Sequence, residues 1–180
     1  GHHRGEYYAL LVAVSLAIVI AVSANDLLMV YLGMEFLSIT SYVLVGFLRG
    51  DKRSNEAAIK YFLYGAVASA VMLYGISMIF GVTGTTNLNA IAQTLAGQGL
   101  QGGMRWLAFG SVVLLLVGFG FKTSLVPFHQ WAPDVYEGAP TPITGFLSTA
   151  SKIGGFALMV RVFIVALPSF AIDWLTVLAG

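Results

Sequence analysis

Five uninterrupted apolar stretches dominate this chain, and each is about as long as a bilayer is thick. They run from Tyr7 to Val22, Asp26 to Leu48, Glu56 to Phe80, Met104 to Val126 and Pro142 to Leu167. A helix crosses the hydrocarbon core with about 20 apolar residues, and about 17 is the lower limit. Only the first stretch lies near that limit. The apolar residues run on without alternation, so a transmembrane β-barrel does not fit. The expected fold class is all-α: a polytopic membrane bundle of five transmembrane helices, one of them discontinuous at Pro127. Composition agrees. The chain is 58% hydrophobic and 9% charged, against about 25% charged in soluble domains. A net charge of +1 offers no basic face to a nucleic acid. The chain has no cysteine, which leaves no disulfide, cysteine-held metal or iron–sulfur cluster.

The connections sharpen the layout. Ser23-Ala24-Asn25-Asp26 reads as a tight turn carrying a cap for the second helix. Arg49-Gly50-Asp51-Lys52-Arg53-Ser54-Asn55 is a basic loop in which Ser54 or Asn55 is expected to cap the third helix. The Gly- and Thr-rich stretch from Gly81 to Gly103 contains Leu88, Ile91, Ala92 and Leu95 at helical spacing, which suggests a short amphipathic helix at the interface. Arg4, Arg49, Lys52 and Arg53 fall on one side and only Arg105 on the other, with Arg161 at the end of the fifth helix. That excess places the N-terminal side in the cytoplasm. The abrupt start and the apolar residues after Pro168 suggest a piece of a longer protein.

The chemistry resides in the few charges inside these stretches. A charge in hydrocarbon costs about 2.5–3.5 kcal/mol on insertion scales, so such residues usually face a protein interior and serve a function. Glu35 sits mid-helix and shares one face with Tyr31, Ser38 and Tyr42. Lys122 lies deep in the fourth stretch, five residues before Pro127, where the helix must break. Burial works against its ammonium, and a nearby carboxylate restores it. Lys152 follows Thr141, Thr144 and Ser148 on one polar stripe, beside Gly154-Gly155, which permit close backbone approach. His129 follows the break, and histidine is the side chain best suited to passing protons near neutral pH. Lys60 pairs with Glu56 at i, i+4. Each has a bland reading: a fixed ion pair, a packed hydroxyl stripe, a loop histidine, a snorkelling lysine. Arg161 reads as snorkelling. Asp134 and Glu137 read as fixing the broken segment. No nucleotide loop, catalytic triad or metal-ligand spacing is present.

The string from Gly120 to Pro142, GFKTSLVPFHQWAPDVYEGAPTP, resembles the signature of the antiporter-like subunits of respiratory complex I. Leu32-Gly33-Met34-Glu35, Glu56-Ala57-Ala58-Ile59-Lys60-Tyr61 and Ala150-Ser151-Lys152 are similar to the same family, in its subunit N branch. The resemblance implies a core of two inverted five-helix repeats, each with a broken helix. Residues 1–167 would be the first repeat, and 168–180 the start of a truncated next helix. It implies proton translocation coupled to NADH oxidation and quinone reduction elsewhere in an NADH–quinone oxidoreductase. Glu35 would partner Lys122, the pumping lysine; Lys60 would tune that pair; His129 and Lys152 would relay protons onward. NADH, FMN, iron–sulfur clusters and quinone would bind other subunits, with none in this chain. The expected partners are the other membrane subunits and the lipid of the cell inner membrane. Two alternatives remain at this stage. One is a subunit of a related cation/proton antiporter or membrane-bound hydrogenase. The other is a scaffold whose charges only pin helices.

Overall fold

The computed structural model describes residues 3–97 and 102–170. These residues form helices α1 (Arg4–Ser23), α2 (Leu27–Val45), α3 (Lys52–Thr83), α4 (Leu88–Gly97), α5 (Gly103–Thr123), α6 (Ala132–Gly138), α7 (Thr141–Ser148) and α8 (Ala150–Arg161). A π-helical turn, Val162–Ala166, and a 3-10 turn, Pro168–Phe170, follow. The expected helix start over 168–180 is this turn as far as Phe170 and otherwise lies outside the described residues. Five helices are long and apolar enough to cross a membrane: α1, α2, α3, α5 and the run Thr141–Ala166. The all-α, five-span expectation therefore agrees with the structure.

The helix ends follow local chemistry. Asp26 caps α2 as expected, accepting hydrogen bonds from the Leu28 and Met29 amides at 2.9 and 3.3 Å. Its other oxygen accepts from the Thr86 hydroxyl, which ties the start of α2 to the entry of α4. The cap of α3 is Asp51, which accepts from the Arg53 amide at 2.9 Å, not Ser54 or Asn55. The helix begins earlier than the apolar run. Ser54 lies buried one turn in and donates to the Val45 carbonyl at 2.6 Å, satisfying the free end of α2 instead. α4 buries Leu88, Ile91 and Leu95. That apolar face lies within the same core cluster as Val162, Phe163 and Ala166, so the short amphipathic helix covers protein.

Two breaks interrupt the long helices. α5 ends at Thr123, where Ser124 adopts a left-handed conformation with φ 57°, and the chain resumes helix at Ala132. Pro127 lies inside that gap. The residue before a proline avoids helical geometry, and the left-handed cap stops the helix a few residues ahead of it. Freed carbonyls in a membrane need new donors. Here the Trp131 indole Nε1 donates to the Phe121 carbonyl at 3.1 Å, and the Leu125 amide to that of Gly120 at 2.9 Å. The second break is a single residue, Thr149, with φ −119° and ψ −84° between α7 and α8. Both Ser148 and Thr149 turn their hydroxyls back onto the Gly145 carbonyl, at 3.0 and 2.7 Å. This break has no counterpart in the sequence reading. It divides the expected polar stripe, with Thr141, Thr144 and Ser148 on α7 and Lys152 on the first turn of α8.

Candidate functional site

Lys122 occupies the last turn of α5, just before the first break. Its side chain is 1% exposed. α8 packs directly against its stem: a methyl group at Gly155 would stand 3.2 Å from Lys122 Cγ and 3.0 Å from Thr123. A side chain there would push the lysine out of place, so the close approach explains the glycine. Among the described residues the ammonium donates to one neighbour, the Ser38 hydroxyl of α2, at 3.1 Å.

Glu35 lies one helical turn from Ser38 on the same face of α2, half-buried. Its field reaches Lys122, yet the two make no direct ion pair. Glu35 Oε1 instead accepts from the Ser69 hydroxyl of α3 at 2.6 Å. Ser69 spends its only proton there, so the Tyr31 hydroxyl, 2.9 Å away, must donate to Ser69. The result is a directed chain, Tyr31 to Ser69 to Glu35, that holds the carboxylate on its own side of the pair. Tyr31, Ser38 and Tyr42 were visible in the sequence as a polar face. Ser69 was not, because lone serines are common on membrane helices and mostly serve packing.

The other expected residues fall in different places. Lys60 forms ion pairs with Glu56 at 2.8 Å and with Asp134 of α6 at 2.7 Å, and its side chain is 40% exposed. Arg53 and Glu137 approach at 3.9 Å beside it. These groups line a cavity of about 220 Å³ between α3 and α6. Lys60 therefore links α3 to α6 through Asp134, and it makes no hydrogen bond or ion pair with Glu35 or Lys122. Gly138 sits so close that a methyl group there would meet the Arg53 carbonyl at 2.6 Å and Ala57 at 2.7 Å. His129 lies exposed in the link between α5 and α6. Lys152 is half-buried, its Nζ 5.5 Å from the centre of the Tyr136 ring.

The fold and site together define a class: a polytopic helix bundle that encloses an ionisable lysine at a helix break, with a carboxylate held nearby. A family model described as "NADH:quinone oxidoreductase/Mrp antiporter, TM" matches residues 24–180. The chain belongs to this family. A curated relative, NADH-quinone oxidoreductase subunit N of Chlorobium chlorochromatii (strain CaD3), is 50% identical over 182 residues, which cover 97% of this chain and 35% of the relative. The chain thus spans about a third of the length of the curated relatives it matches. Among solved structures, respiratory complex I from Thermus thermophilus with bound aureothin contains a similar chain. It has a TM-score of 0.76 at 40% identity, with 88% of this chain and 34% of that one covered. The membrane-bound sulfane sulfur reductase, an archaeal respiratory membrane complex, gives a TM-score of 0.78 at 26% identity over 94% of this chain and 34% of that one.

Proposed function

We propose that this chain is a five-helix proton-translocating unit of an antiporter-like membrane subunit of NADH–quinone oxidoreductase. It would work within the cell inner membrane beside the other membrane subunits. Residues 1–167 would form the first of two such repeats. NADH oxidation and quinone reduction, with FMN and iron–sulfur clusters, would take place in other subunits; this chain would move protons only.

The observation that carries the reading is the setting of Lys122: fully enclosed, beside a helix break and, among the described residues, with one hydroxyl partner and no ion pair. Removing an ammonium from water costs several kcal/mol, and an ion pair in the interior offsets that only when its partner is close. Glu35 is held one turn away by Ser69. The arrangement therefore corresponds to an open pair, the state from which Lys122 hands its proton on. Closing the pair reloads it. Ser38 is the group that receives the ammonium in the open state. The released proton passes toward Lys152 on α8, and His129 on the exposed link is where a path would meet water or a neighbouring subunit. Lys60, which forms two short ion pairs, keeps α6 in place while the pair opens and closes.

Replacing Lys122 by Met in the full-length subunit tests this. The assembled complex in sealed vesicles should reduce quinone with a lowered number of protons moved per electron. Native gels should show normal assembly. Undiminished pumping, or loss of assembly in place of pumping, contradicts the reading.

A further inference from the structure

A row of phenols lies beside the lysine–glutamate site. Tyr61 of α3 is 0% exposed, and its hydroxyl has no hydrogen-bond partner among the described residues. The hydroxyl of Tyr136, on α6, is likewise buried and unpartnered. Tyr42 of α2 completes the row. Its ring meets that of Tyr61 edge-on at 4.7 Å between centroids. Tyr61 stacks on Trp131 at 4.4 Å, and Trp131 meets Tyr136 edge-on at 6.1 Å. Tyr61 lies within electrostatic reach of both other phenols.

The ends of the row are informative. Tyr42 neighbours Ser38, the hydroxyl that holds the Lys122 ammonium. Gly65 leaves it room there, since a methyl group at that position would collide with the Tyr42 hydroxyl. At the far end, Lys152 Nζ stands over the Tyr136 ring. The row therefore leads from one interior lysine to the other, while His129 is exposed on the link.

A buried hydroxyl without a partner is costly, because it gives up its bonds to water and gains none in exchange. Phenylalanine would make the same ring contacts without that penalty. Buried polar groups that lack a protein partner are the usual seats of internal water. We propose that the hydroxyls of Tyr42, Tyr61 and Tyr136 line a water-bridged proton path from Lys122 to Lys152. This rests on the proton-translocating reading above and supplies its internal leg. Lys122 gives one proton to the nearest oxygen. Each hydroxyl or water passes on a proton of its own as it takes one up. Lys152 binds the last as it passes its own proton onward. One proton moves, every oxygen ends as it began, and no electron is transferred.

The test is the double substitution Tyr61→Phe with Tyr136→Phe in the full-length subunit of the assembled complex, with Lys122→Met alongside. Both rings remain, so the aromatic stack and the contact with Lys152 are kept. A purely structural role predicts unchanged pumping, since only unpartnered hydroxyls are lost. The path predicts normal assembly and a proton-to-electron ratio in sealed vesicles lowered to that of Lys122→Met. Wild-type pumping by the double variant, with Lys122→Met impaired, overturns the tyrosine path and leaves the lysine reading standing. Wild-type pumping by all variants overturns both. Failure of the double variant to assemble shows a packing role and also overturns the path.

Discussion

Lys122 and Lys60 are the same residue in opposite surroundings. Lys60 has two carboxylates at 2.8 and 2.7 Å and stands partly in the open. Lys122 is sealed among α2, α5 and α8 with a single hydroxyl at 3.1 Å. On the proposed reading, a lysine with two short ion pairs is held in place and fastens. A lysine enclosed with few partners responds to any change in the position of the nearest carboxylate and switches. The number of short ion pairs around each residue is what the proposal uses to tell the two apart, although both sit on membrane-length helices and both look anomalous in the sequence.

The largest effect should come from Lys122→Met. Proton transfer through this unit should be lost, while thermal stability of the complex should hold or rise. Methionine fills a similar volume and removes a buried charge that no close carboxylate offsets. Lower stability with pumping intact would place Lys122 in the fastening role. Glu35→Gln should come next. The amide keeps a bond to Ser69 but has no charge to return to Lys122, so pumping should slow by about tenfold for each ~1.4 kcal/mol of attraction lost. The initial rate of proton uptake into sealed vesicles on addition of NADH would measure it. Gly138→Ala should loosen α6, since crowding a packed contact costs about 1–3 kcal/mol. Faster proteolysis of the link 124–131 would report this. Lys60→Met should have the smallest effect on pumping, with its consequence confined to the same loosening of α6.

The spans were legible because continuous apolar length is a strong signal that survives any detail of packing. The first break was legible through Pro127, though its edge was not. Ser124 in a left-handed conformation ended α5 at Thr123, and nothing about a serine announces that. The second break, at Thr149, was hidden because no proline or glycine marks it. The adjacent pair Ser148-Thr149, both able to bond back to the preceding turn, was the available sign. Within the site, Glu35 and Lys122 stood out as charges in apolar runs. Lys60 stood out equally, and its true neighbour, Asp134, lies 74 residues away; a pairing over that distance depends on where α6 folds back. Ser69 and Tyr61 resemble ordinary packing residues until their surroundings are known.

The most direct measurement is the proton-to-electron ratio of Lys122→Met and Lys60→Met side by side, in sealed vesicles with equal amounts of assembled complex. The first should fall clearly below wild type while the second stays close to it. Equal losses in both variants, or a loss in Lys60→Met alone, would contradict this.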